Sequence, residues 1–252
     1  MALQVATLFG AAMALGGALM LGLGIRHVWR ASKVLRAPGP DEADAADASI
    51  VRLRGTVAEH GEELVEAPFS GTEVVVERHV VEERQLNPSV PVLPWDVVLE
   101  EGTASAPFDL RTAETTATVD GRIGTAILGR ETVTTIGVGE ALPDRIAAFH
   151  EQRELSTEPL GFGSLPGPLA RIGRAVGLGK RTYSEERLKI GDEATIVGYP
   201  VDGAAAVSGT VDPLIVSDRS PHGTFFAMAK TGLVASVLGI GVLAIGLLLL
   251  LV

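Results

Sequence analysis

The sequence predicts an α+β fold that is mainly β, an antiparallel β-barrel or sandwich with one or two helices, flanked by two transmembrane helices. Three observations predict it. The two ends of the 252-residue chain are long, apolar and free of charge. The middle breaks into short β-branched runs separated by turn residues, and one stretch among those runs carries apolar residues at helical spacing.

From Ala2 to Ile25 there is no charged residue, and Thr231 to Val252 is equally bare. At about 1.5 Å of rise per residue, either stretch crosses a hydrocarbon core of about 30 Å. Residues 2–25 and 231–252 are therefore the predicted spans. Nothing basic precedes the first and its apolar run is long, so it reads as a retained helix rather than a cleaved leader. The second runs to the last residue, and no globular domain is expected after it. Small residues recur in both. Gly10, Ala14, Ala18 and Gly22 are spaced by four, whereas Gly232, Gly239 and Gly246 are spaced by seven. Such stripes let helix backbones approach, so the spans are expected to pack on each other or on a second copy of the chain.

Residues 26–48 form a basic flank and an acidic linker. Arg26, Arg30, Lys33 and Arg36 come first, and APGPDEADAAD (37–47) follows, with no apolar period and the composition of a solvated segment. The β-rich soluble domain is expected over 49–229. Strands are read from Ile50 to Val57, Thr72 to Arg84, Trp95 to Gly102, Pro107 to Arg111 and Thr115 to Asp120. More strands lie within Arg181 to Pro200 and from Val211 to Asp218. In the longest, Val74, Val76, Arg78 and Val80 alternate with Val75, Glu77, His79 and Val81, the pattern of a half-buried strand with one irregular position. Leu142 to Glu154 instead has Ile146 and Phe149 at helical spacing and Pro143 suited to a first turn, which predicts one helix. About 180 residues suffice for one core, so one soluble domain is expected.

Charge narrows the function classes. All 31 acidic residues but only 16 of the 21 basic ones lie between the membrane ends and their basic flanks, a net charge of −15 there. Only four residues are lysine. This acidic, lysine-poor composition suits the high-salt cytoplasm of a halophilic, archaeal-like cell. It argues against nucleic acid as a partner, because phosphates are repelled by such a surface. There is no cysteine, which removes disulfides, thiol nucleophiles and cysteine-based zinc sites together. The one asparagine, Asn87, precedes Pro88 and is no glycosylation acceptor.

The remaining polar motifs are weak. His150, Glu151 and Glu154 (HEQRE) start like a zincin helix but lack the second histidine, and they read as a solvated helix end. His27, His60, His79 and His222 are scattered, as surface or satisfied polar residues are. GFGSLPG (161–167) does not join a strand to a helix as a phosphate cradle must, and there is no GxSxG. No catalytic residue, metal or cofactor is expected. One basic island stands out in the acidic domain. Leu169, Ile172 and Val176 share a helical face there, while Arg171, Arg174 and Lys180 supply charge. It reads either as a short helix resting on anionic headgroups or, given its glycines, as a loop packed on the barrel.

The ordered set GTVAEHGEELVEAPFSG, VVVERHVVEER, Trp95, PFDL and RTYSEERLKIGDEATIVG resembles the GIDE domain, also called the BAM (beside a membrane) domain. The resemblance covers Ser49 to Asp218. In eukaryotes this family lies between two membrane helices of mitochondrial RING-type E3 ubiquitin ligases, and relatives occur in archaea and bacteria. A RING holds zinc through cysteines, and this chain has none, so ligase activity is not expected of it. Two functions follow from the resemblance. The first is an integral membrane protein that displays the domain at the bilayer as a non-catalytic scaffold or binding module, with a protein partner. The second is a subunit of a ubiquitin-like transfer system whose catalytic part sits on another chain. Arg26, Arg30, Lys33, Arg36 and Lys230 place the domain on the cytoplasmic side of the cell membrane by the positive-inside rule, against the eukaryotic family's placement in the intermembrane space.

Overall fold

A computed structural model describes residues 2–39, 50–86, 94–156, 171, 173, 175, 177–201 and 210–251. Two long helices bracket the chain: α1 (Ala2–Ala31), continued by the single turn α2 (Lys33–Arg36), and α4 (Pro221–Leu251). Both are long and apolar enough to cross a membrane. Each extends past the uncharged segment that predicted it, α1 by six residues and α4 by ten, because nothing in Arg26–Ala31 or Pro221–Lys230 breaks a helix once Pro221 has taken the first helical position.

Between them, among the described residues, lie twelve strands. β1 (Val51–Glu59), β6 (Phe108–Arg111), β7 (Thr116–Val119), β11 (Glu193–Pro200) and β12 (Thr210–Ser217) pair in the order β11-β1-β6-β7-β12, and β12 also pairs with β11, which closes a five-stranded barrel. The barrel is antiparallel except where β12 runs parallel to β7 and to the outlying β8 (Thr125–Ile127). A second, antiparallel sheet has the order β5-β4-β10-β9, built from β4 (Val76–Leu86), β5 (Pro94–Ser105), β9 (Arg130–Ile136) and β10 (Arg181–Leu188). A small hairpin, β2 (Val65–Glu66) with β3 (Glu73–Val74), stands beside it.

The chain turns from the second sheet into the barrel between β10 and β11. Gly191 holds a positive φ of +92° in that turn, and the Asp192 carboxylate accepts from the Lys189 N–H at 2.9 Å. Leu53, Phe108, Leu110, Leu188 and Ile196 fill the barrel. A second core lies between the four-stranded sheet and the predicted central helix, α3 (Asp144–Gln152), where Ile146 and Phe149 meet Phe69, Val81, Ile136 and Tyr183.

Two readings change. β4 is not half-buried: Val74 to Glu77 and His79 to Val81 are all buried, because α3 covers one face and the barrel core takes the other side of the strand's first residues. β2, β8 and β9 had no counterpart among the predicted strands. RETVTTI is only partly buried at the sheet's edge, so it lacks the apolar alternation by which a strand announces itself.

Candidate functional site

The two long helices pack antiparallel along glycine. A Cβ added at Gly10 would stand 3.0 Å from the Gly246 carbonyl oxygen, one at Gly17 2.8 Å from that of Gly239, and one at Gly24 2.6 Å from that of Gly232. The reciprocal additions at Gly232 and Gly246 would meet Gly24 and Gly10 oxygens at 2.8 Å each. Both seams repeat every seven residues, close to two helical turns, so a slight left-handed wrap of the pair keeps the glycines on one inward face. Of the four small residues expected to line α1, Gly10 and Ala14 face α4, the latter against Gly246. Ala18 is exposed, and nothing lies within 4 Å of a Cβ built at Gly22. Gly17 and Gly24 take their places.

This register has an electrostatic consequence. Carried two residues beyond the Gly24–Gly232 pair, it sets Arg26 and Lys230 at one level, so the uncharged segments of both helices end together. Above that level α1 and α2 present exposed Arg26, Arg30, Lys33 and Arg36, with Trp29 among them and the Lys33 ammonium 5.8 Å from its ring centroid. Apolar below, aromatic at the boundary and cationic above is the pattern of a helix meeting a membrane interface.

The β domain stands directly on this collar. Val34 and Ala37 pack against Val197 and Ile215 on the outside of the barrel, and Met228, two residues before Lys230, joins them. Arg52 of β1 donates to the Val34 and Leu35 carbonyls at 3.2 and 3.1 Å, satisfying oxygens that the end of α2 leaves open. Only Asp218, Arg219 and Ser220 separate β12 from α4. That joint is tied by the Thr224 hydroxyl donating to Ser217 Oγ at 2.9 Å and the Thr195 hydroxyl donating to the Arg219 carbonyl at 2.7 Å.

A row of buried polar side chains runs along the α3 face of β4 and β10. Opposite neighbours there are Glu83 with Arg181, Val81 with Tyr183, His79 with Glu185 and Glu77 with Arg187. Arg181 Nε donates to Glu83 at 2.9 Å. Glu185 Oε1 accepts from the Phe69 and Ser70 N–H groups at 2.6 and 3.0 Å, while its other oxygen lies 3.6 Å from Arg187. His79 Nδ1 is 3.0 Å from Glu77, and its ring covers Gly102 on β5, where a Cβ would force the ring to shift. Its Nε2 is buried without a hydrogen-bond partner among the described residues.

These positions correct the reading of His150 and remove the surface alternative for His79, which is bonded to Glu77. Neither is on the surface: His79 and His150 are each 3% exposed. HEQRE is not wholly a solvated helix end, since His150 turns inward to Tyr183 Oη at 2.9 Å while Glu151 and Glu154 stay in solvent. Burial, aided by the nearby Arg181 charge, lowers the His150 pKa below its usual value, and burial raises that of Tyr183 against the pull of Arg181. A buried neutral histidine binds its proton less readily when folded than when unfolded. Its contribution to stability is therefore complete above about pH 6.5, where the unfolded side chain is neutral too, and is lost as pH falls from there through the depressed folded value. The denaturation midpoint of the full chain in detergent should drop between pH 7 and 5, and His150→Gln, which retains a hydrogen-bonding group toward Tyr183 without titrating, should flatten that drop.

Of the basic island, Arg171 and Lys180 are exposed, Lys180 leading into β10 at the end opposite the barrel-core residue Leu188. Leu169, Ile172, Arg174 and Val176 lie outside the described residues, as do the acidic linker from Pro40 onward and GFGSLPG. Among the described residues no group of three or more histidine, aspartate or glutamate side chains is arranged to hold a metal ion. No family model, no curated protein and no solved structure matches this chain.

Proposed function

We propose that the chain is a bilayer-anchored protein that holds its β domain against the membrane surface as a non-catalytic scaffold or binding module, with the domain in the cytoplasm. The observation that carries this reading is the common level at which the uncharged faces of α1 and α4 end, at Arg26 and Lys230, with barrel residues packed immediately above. Two helices inserted separately have no reason to share a boundary, whereas a hairpin fitted to one bilayer must. The tight joint between β12 and α4 supports a domain presented in a fixed pose rather than on a tether.

The cytoplasmic placement rests on the five cations at that boundary, which are retained on the inner side. A cysteine placed at Ser49, the first in an otherwise cysteine-free chain, should stay unlabelled by an impermeant thiol reagent on intact cells and react after lysis. Labelling of intact cells would put the domain outside.

The resemblance to GIDE domains keeps a second reading, a subunit of a ubiquitin-like transfer system with its catalytic zinc or thiol on another chain. Two of the stretches that carry the resemblance, VVVERHVVEER and RTYSEERL, pair side by side as β4 and β10. Purification of the full chain in mild detergent separates the readings. Stoichiometric recovery of an activating enzyme or a ubiquitin-like protein would establish the second.

A further inference from the structure

We infer that the crevice between α1 and α4 at the level of Trp29 is a binding site for one anionic phospholipid. Ile25, Val28, Trp29 and Leu233 form its apolar wall together with Ser236, whose hydroxyl donates to the Gly232 carbonyl at 2.8 Å, and Ser32 and Arg36 stand at the upper rim. The inference rests on the membrane-anchored reading above.

Three features of the crevice specify the occupant. Its wall lies next to the uncharged end of the span, so what fills it is an acyl chain. Its upper rim is cationic: Arg36 lines it, and Lys33 stands over Trp29, which is 56% exposed. No acidic residue occurs in 2–39 or 219–251, and among the described residues Arg26, Arg30, Lys33, Arg36 and Lys230 form no ion pair. That contrasts with the domain above, where Arg54, Arg78, Arg130, Arg145, Arg181 and Arg187 all meet carboxylates. The collar's unneutralised charge has its complement in a phosphate, presented at the height where a phospholipid carries it.

A diffuse attraction of anionic lipid to a basic flank would treat the cations alike. The crevice makes them unequal, because Arg36 lines it whereas Arg26 and Arg30 do not. The full chain is reconstituted into nanodiscs of phosphatidylcholine with about one third phosphatidylglycerol, and lipid retained on the protein is measured by native mass spectrometry after gentle detergent release. One phosphatidylglycerol should be retained in preference to phosphatidylcholine, and Arg36→Gln should reduce that preference about fivefold, from the ~1 kcal/mol that a cation near the surface contributes. Leu233→Trp, which fills the crevice, should reduce it as much, while Arg26→Gln and Arg30→Gln should each change it less than twofold. Equal losses at Arg26, Arg30 and Arg36, or no preference at all in a chain that enters nanodiscs normally, would overturn the site. Failure of the chain to enter nanodiscs would instead overturn the anchored reading on which the site depends.

Discussion

Replacing Glu185 with alanine is expected to lower the stability of the β domain by about 3–5 kcal/mol, near the upper limit for one substitution. The carboxylate is completely buried and organises the segment before β3 by accepting two backbone N–H groups, those of Phe69 and Ser70. Truncation strands both donors in the core, each at a cost of about 1–3 kcal/mol. It also takes the nearby carboxylate from Arg187, which keeps Glu131, Ser70 and Thr72. Phe69 would lose its anchor, and with it the edge-to-face contacts at 5.0 Å to Phe149 and 5.3 Å to Tyr183 that seat α3. Thermal unfolding of the full chain in detergent, followed by the β-sheet circular dichroism signal, should show a fall of roughly 10 °C for a domain of this size. Glu185→Gln offers an amide oxygen to the same two donors and should cost less than half as much. Equal losses for both variants would show that the charge, not the hydrogen bonding, is what the site needs.

Leucine at Gly239 or Gly17 is expected to force the helix pair apart. A Cβ at Gly239 would lie 2.6 Å from the Leu21 backbone nitrogen and 2.9 Å from the Gly17 oxygen, and neither is a flexible side chain that can swing away. Overpacking of this kind costs about 1–3 kcal/mol, and two such changes on facing residues couple rather than add. Gly16 and Gly22 are matched controls on the same helix, since nothing lies within 4 Å of a Cβ at either. Leucine there should shift stability by no more than about 0.5 kcal/mol. The midpoint of heat-induced aggregation in detergent should fall for Gly17→Leu and Gly239→Leu and stay put for Gly16→Leu and Gly22→Leu.

The glycine seam also shows where the sequence was readable and where it was not. Two repeats overlap in α1, one of four residues through Gly10, Ala14, Ala18 and Gly22, the other of seven through Gly10, Gly17 and Gly24. Only the second matches the period of Gly232, Gly239 and Gly246, and matching periods between partners was the signal that selects it. Most strands were legible because β-branched runs bounded by turn residues have few other ways to fold, and α3 was legible from Ile146 and Phe149. The buried polar row was not. Glu77 and His79 are simply polar members of an alternating, half-buried strand until the register supplies Arg187 and Glu185 opposite them. Charge on an alternating strand has the same pattern whether water or a cross-strand partner satisfies it, and only the pairing distinguishes the two. The collar was legible as charge, but the crevice beside it depends on how α1 and α4 meet, which no single helix sequence contains.

The most direct test of the anchored hairpin is a disulfide across its seam. A Cβ at Gly10 lies 3.0 Å from that of Leu249, so the helices need part by only about half an ångström to reach the roughly 3.5–4.5 Å that a disulfide spans. The chain has no other cysteine to interfere. Full-length protein carrying Gly10→Cys and Leu249→Cys, oxidised mildly in isolated membranes, should form an in-chain bond. It should run as a compact monomer without reductant and remain in the pellet after an alkaline wash. Gly22→Cys with Leu249→Cys should form none. Crosslinked dimers without the in-chain product, or release of the chain from washed membranes, would contradict the account.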